Sequence, residues 1–196
     1  MPIIVSHKGK DAKRYDPKSF TNETELQEYI TDNPEAISSL TDMDPSEQRV
    51  FVAAREFSTE SGPIDAVGFS QTGTIYLIET KLYKNSDKRL VLAQVLDYGA
   101  SLWKHGGGSE DFLQNISEAC ISRHEKSFED MTSEFFELYE MVMETFMSSV
   151  QDNYEKSRFK VVILMDQVES RLKDLIFFIN TNSKFDVYGV ELEYYK

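Results

Sequence analysis

Residues 49–58 alternate apolar and polar positions with the period of a strand, 75–78 form a continuous apolar run, and from 88 onward the spacing lengthens to that of a helix. Residues 49–58 read as a first strand, 59–62 as a loop, and 64–70 and 74–83 as two strands of a hairpin. The first 20 residues predict an extended arm with one edge strand at Ile3, Ile4 and Val5. Thr21 and Asn22 can cap a helix over 23–31 whose apolar stripe is Leu26, Tyr29 and Ile30, ended by Asn33-Pro34, with a further helical turn near 35–40.

Asn85, Ser86 and Asp87 form a capping cluster before a helix over 88–104. Two adjacent stripes share it: Leu92, Leu96, Gly99 and Trp103, and Val91, Gln94, Tyr98 and Leu102. Glycines 106–108 end it. Residues 110–155 predict two or more amphipathic helices, first on Phe112, Ile116, Ala119 and Cys120, then on Phe135, Leu138, Tyr139, Val142 and Phe146. A buried-type strand at 160–165, a helix over 168–180 carrying Leu172, Leu175, Ile176 and Ile179, and a strand over 185–194 complete the chain. Helix, three strands, helix, helical insertion, strand, helix, strand is the order of an α/β sandwich around a mixed sheet. The closing strand–helix–strand implies a right-handed crossover.

Composition narrows the class. The 196 residues fit one domain, 40% are hydrophobic, and no apolar run nears the ~20 residues of a membrane span, which predicts a soluble, non-membrane protein. One cysteine, Cys120, excludes an internal disulfide and a cysteine-rich zinc site, fits a reducing cytoplasm, and reads as a small buried hydrophobe on a helix. His7, His105 and His124 lack metal-ligand spacing and read as surface or loop residues. The net charge of −13 argues against nucleic-acid binding until its distribution is seen. Residues 109–155 hold 12 acids against Arg123 and Lys126 and so carry −10, leaving −3 for the rest. Lys81, Lys84, Lys88 and Arg89 stand against Asp87 after the hairpin, and Lys8, Lys10, Lys13, Arg14 and Lys18 stand against Asp11 and Asp16 in the first 20 residues.

The charges at the end of the hairpin carry the chemistry. A three-residue loop, Gln71-Thr72-Gly73, places its last residue in the left-handed conformation that glycine adopts without strain. That register pairs residues whose numbers sum to 144, so Asp65 faces Glu79 with Cβ atoms ~4.5–5.5 Å apart. A two-residue loop would instead put Asp65 opposite Thr80. Glu79 and Lys81 share one face and Thr80 points to the other. Facing carboxylates repel, and one pKa rises unless a cation intervenes. Mg²⁺, with Mn²⁺ able to substitute, suits two carboxylates plus a substrate phosphate. Lys81 could orient or help deprotonate an attacking water, or neutralise charge on the phosphorane. The bland alternative is a surface hairpin with a stray Glu–Lys pair; the buried-looking run 75–78 and the matched Asp65 weigh against it.

These residues resemble the PD-(D/E)xK nuclease superfamily with its restriction-endonuclease-like fold, and within it the NucS-like and RecB-like groups. The resemblance rests on Ile64-Asp65, Ile78-Glu79-Thr80-Lys81, Gln94 and Tyr98 as a Q-x-x-x-Y pair, the opening helix from Glu23, and the ending 161–166 with 185–191; it spans most of 20–195. Pro63 is displaced by Ile64 from the literal Pro-Asp pair.

The resemblance implies a three-layer α/β sandwich with a central mixed sheet over 1–196 and an acidic helical insertion at about 109–155. It implies a metal-dependent nuclease hydrolysing phosphodiester bonds, in DNA, in restriction, repair or defence. Asp65, Glu79 and the Thr80 carbonyl are then metal ligands, Lys81 the catalytic lysine, and Glu23 the helix-one acid, with Glu25 its rival. Gln94, Tyr98 and Lys84 contact substrate, Gln94 steadying Lys81 or the backbone. Each has a plainer reading: Tyr98 as core, Gln94 as a solvent residue, Glu23 as a helix-dipole charge. A catalytically weak binding module on the same fold is the alternative function. A homodimer, a separate subunit, or a place as the N-terminal part of a longer protein are the expected assemblies.

Overall fold

The computed structural model describes residues 1–33, 49–85, 87–184 and 186–196. The helical turn expected near 35–40 lies outside them. The elements, in chain order, are β1 (Ile3–His7), β2 (Lys10–Tyr15), β3 (Pro17–Lys18), α1 (Glu23–Asp32), β4 (Val50–Thr59), β5 (Gly62–Ser70), β6 (Ile75–Lys81), α2 (Lys88–His105), α3 (Ser109–His124), α4 (Phe128–Phe136), α5 (Glu140–Glu155), β7 (Phe159–Met165), α6 (Ser170–Asn182), β8 (Asp186–Glu191) and β9 (Tyr194–Tyr195).

The central sheet runs β4-β5-β6-β7-β8. Its first three strands are antiparallel, and β6, β7 and β8 are parallel. This is the mixed central sheet of a three-layer α/β sandwich, as the sequence predicts. Alternation along β6 assigns the layers. Tyr76, Ile78 and Leu82 pack with Leu26 and Ile30 of α1 on one face. Ile75 and Leu77 pack on the other with Tyr98 and Leu102 of α2 and the aromatic layer of α3–α5. Farther along that face, Val91 and Val95 of α2 meet Leu172 and Ile176 of α6 over β7.

Local chemistry explains the boundaries. Asn22 caps α1 by accepting from the Glu25 N–H at 2.8 Å, and Asp87 caps α2 by accepting from the Arg89 N–H at 3.0 Å. Gly73, at φ +83°, closes the three-residue loop, where the Ser70 N–H donates to the Thr74 carbonyl at 3.0 Å. The observed pairs, from Ala66 with Ile78 to Phe69 with Ile75, keep the expected register. Asn153 of α5 donates to the Gly73 carbonyl at 3.0 Å, tying the helical layer to this loop.

Several expectations need correction. The N-terminal arm is a two-stranded hairpin of β1 and β2, not a lone edge strand. On α2 the buried hydrophobic residues are Val91, Leu92, Val95, Tyr98 and Leu102, whereas Trp103 is 69% exposed. The helical region is three helices, and Tyr139 and Val142 are exposed while Phe136 and Phe146 are buried. Cys120 is buried as expected, its thiol directed at the Ala53 carbonyl at 3.4 Å, and burial pushes its pKa up to about 11. Among the described residues no helix is long and apolar enough to cross a membrane.

Candidate functional site

β5 and β6 part company where the charges begin. Their ladder ends at Ala66 with Ile78, one pair short of Asp65 with Glu79. On the other side of β5 the irregularity continues: β4 carries a bulge between Val52 and Ala54, and Glu56 has φ +48°. In place of a ladder bond, Asp65 Oδ2 accepts from the Thr80 N–H at 2.7 Å and from the Thr80 hydroxyl at 2.6 Å. The expectation that Asp65 squarely opposes Glu79 is thus corrected: the register holds, but the carboxylate turns to Thr80. Side-chain alternation alone did not foresee that Thr80's hydroxyl reaches it.

Glu79 is fully buried, and neither of its carboxylate oxygens accepts a hydrogen bond of normal geometry. Lys81 Nζ lies 2.8 Å from Glu79 Oε1 and 3.7 Å from Glu23 Oε2. Burial, then the charge of Asp65, pushes the Glu79 pKa up to about 7 against the opposing pull of Lys81 and Tyr98. The rise that facing acids imply therefore falls on Glu79. Partial burial works to lower the Lys81 pKa, but Glu79, Glu23 and Asp65 overcome it, and the net direction is upward.

The helix-one alternatives separate. Glu23 Oε1 accepts from the Leu82 N–H at 3.4 Å, so it lies at the end of β6 beside Lys81. Glu25 turns back to its own helix start, accepting from the Thr21 N–H at 2.7 Å. Gln94 donates to the Tyr98 hydroxyl at 2.5 Å, not to Lys81. Tyr98 is a buried core residue and also faces the acids: burial first, then Glu79 and Asp65, raise its pKa to about 12. Lys84 is exposed beyond the strand end, its Nζ 3.4 Å from the Thr21 carbonyl.

Asp65, Glu79, Thr80, Lys81, Glu23 and Tyr98 thus converge, with Gln94 acting on Tyr98 and Lys84 at the rim. Among the described residues no group of three or more His, Cys, Asp or Glu side chains is placed to hold a metal ion. The residues nonetheless fit a hard dication that keeps several waters: a buried carboxylate that accepts no hydrogen bond and meets one ammonium through Oε1 alone is a group such an ion would satisfy.

Two polar residues near this end were missed in the sequence. Asp166, after the apolar run of β7, accepts from the Tyr83 N–H at 2.7 Å and fixes the segment leaving β6. A charge directly beyond a buried parallel strand was the available signal. Arg55, the lone cation in apolar β4, donates to Gln27 Oε1 at 3.2 Å, and its buried Nε lacks a partner.

No protein-family model matches the chain. No curated protein matches it. Among solved structures it is similar to a repair endonuclease from Pyrococcus abyssi, with 11% identity and a TM-score of 0.39 over 90% of this chain and 50% of that one. It is also similar to an EndoMS–dsDNA2 complex, with 12% identity and a TM-score of 0.44 over 97% of this chain and 64% of that one. The chain therefore spans less than two thirds of the length of either.

Proposed function

We propose that the chain is a divalent-metal-dependent nuclease that hydrolyses phosphodiester bonds in DNA. One observation carries the reading: Glu79 is fully buried at the parting of β5 and β6, neither carboxylate oxygen accepts a hydrogen bond of normal geometry, Oε1 has only the Lys81 ammonium at 2.8 Å, and the charge of Asp65 adds to the burial-driven rise of its pKa. Natural cores satisfy buried carboxylates, so one that is met by a single ammonium and has a second acid nearby is a group that a further cation would offset. Asp65, Glu79 and the Thr80 carbonyl would hold Mg²⁺ or Mn²⁺, which when bound supplies positive charge to polarise the phosphoryl group and activate water.

The chain's own groups have separable tasks. Lys81 keeps its proton at neutral pH because its pKa is raised, so it serves as a charged donor to a phosphate oxygen or the attacking water rather than as a base. Glu23 holds that ammonium over Glu79 and anchors the chain at Leu82. Thr80 fixes Asp65 through two hydrogen bonds, leaving that carboxylate's other oxygen to meet a ligand. Tyr98 stays a phenol, positioned by Gln94, and offers neutral polarity beside Glu79. Lys84, exposed at the rim, meets the substrate backbone.

Plasmid nicking in Mn²⁺ tests this. Lys81→Ala should slow cleavage by roughly 10²-fold or more; equal rates for both proteins would overturn the proposal. The 2.8 Å Lys81–Glu79 ion pair favours a second reading, a binding module with little turnover, because the lysine already offsets part of the buried charge. Mn²⁺ binding heat that Asp65→Ala leaves unchanged would support that module.

A further inference from the structure

The β1–β2 hairpin stands apart from all three apolar clusters of the fold. Every residue of β1 is exposed, as are the turn and all of β2 except Tyr15. Isolated two-stranded hairpins are marginal in water. This one nevertheless has a built tip: Lys8 and Gly9 both have positive φ, 50° and 74°, the signature of a tight two-residue turn between His7 and Lys10. A lysine sits where asparagine or glycine would be less strained, and Asp11, at φ 52°, is the one acid of the ribbon. Lys8, Lys10 and Lys13 make no ion pair among the described residues, and only Arg14 is paired, to Asp16 at 2.9 Å. In a chain of net charge −13, these unpaired cations project from one slender ribbon.

The base of the ribbon leads to the candidate site. β3 follows directly, pairs with β9, and is succeeded by Phe20 and α1, whose first residue is Glu23. A cavity of about 390 Å³ joins Met1 and Lys18 to Tyr83, Lys84 and Asp166, the segment immediately beyond Lys81. Lys18 lies over the Tyr194 ring there, 5.8 Å from its centroid.

We propose that β1–β2 is a basic arm that lies in the major groove of duplex DNA and holds it across the Asp65–Glu79–Lys81 site. Charge complementarity selects the occupant, and a two-stranded ribbon matches a groove about 12 Å wide. The proposal rests on the nuclease reading for the site's role, but the arm's binding is measured without catalysis. The full chain and its Lys8→Ala/Lys10→Ala/Lys13→Ala variant are titrated with a labelled 20-base-pair duplex in EDTA across a salt series, and both are assayed with Mn²⁺ and bis-p-nitrophenyl phosphate, a diester too small to reach the arm.

The variant should bind duplex roughly 10–100-fold more weakly, with a log–log salt slope shallower by about 2–3, while hydrolysing the small diester within about twofold of wild type. Unchanged duplex affinity and slope would overturn the arm and leave the nuclease reading standing. Arm-dependent binding with no hydrolysis by either protein would support the arm and sink the nuclease reading. Lysine-dependent binding to phosphatidylserine vesicles, with duplex binding untouched, would overturn the arm by assigning it to a lipid surface.

Discussion

The two ends of β6 belong to one strand and are equally buried, yet they solve opposite problems. At the loop end, Ile75 and Leu77 enter an aromatic layer in which Phe69 and Phe128 approach to 4.6 Å and Phe112 stacks on Tyr154 at 4.5 Å. Gly73 supplies the turn, and α5 packs against it through Asn153. At the other end the ladder stops, Asp65 substitutes a side chain for a backbone bond, and Glu79 is buried with only the Lys81 ammonium beside it. One end maximises stability; the other holds a destabilising charge in place. A protein keeps such a cost where a ligand offsets it.

Breaking each end in turn sharpens the contrast. The largest expected effect is that of Asp65→Ala, which removes the one oxygen that accepts from both Thr80 donors and one wall of the proposed cation seat. Mn²⁺-dependent cleavage should fall roughly 10³-fold, and urea unfolding should show a loss of about 1–3 kcal/mol. Gly73→Ala acts only on the stable end. A Cβ there would lie 2.8 Å from Ser149 Cβ and 3.0 Å from the Val150 nitrogen at a positive φ. It should cost about 2–4 kcal/mol of stability, with cleavage unchanged well below the melting temperature.

Glu79→Gln should do the reverse. The folded pKa of Glu79 is raised, so between pH 4.5 and about 7 the native state binds the extra proton. Stability from this group is therefore full below pH 4.5 and lost as pH rises to about 7, on the order of 2–3 kcal/mol. Without metal, the glutamine variant should melt higher than wild type at pH 7.5, the gap closing toward pH 4.5. A variant less stable at pH 7.5 would show that the ion pair with Lys81 outweighs burial. The smallest effect belongs to Tyr98→Phe. Removing the hydroxyl deletes a group that lowers the Glu79 pKa, so the midpoint of that pH-dependent loss should move upward by a fraction of a unit while stability changes by less than about 1 kcal/mol.

How much of this was legible in the chain follows the same division. The hairpin register was readable because Gly73 permits only a narrow set of loops, and loop length fixes pairing. The site residues followed from that register and from the motif spacing. The ladder's early end was not readable, since the bulge in β4 and the left-handed Glu56 have no signature in an alternating run. Nor was the choice between Glu23 and Glu25, which depends on how α1 is rotated against β6. Trp103 and Tyr139 were placed inside by periodicity and lie outside, because a marginal stripe is decided by what packs across from it.

Calorimetric titration with Mn²⁺ at pH 6.5 in two buffers of different ionisation enthalpy tests the cation seat most directly. A Glu79 with a pKa near 7 must give up its proton to an incoming dication. Wild type should therefore show a binding heat that differs between buffers by a fraction of a proton, and Glu79→Gln should show none. Absence of heat in wild type, or the same buffer dependence in Glu79→Gln, would contradict the account.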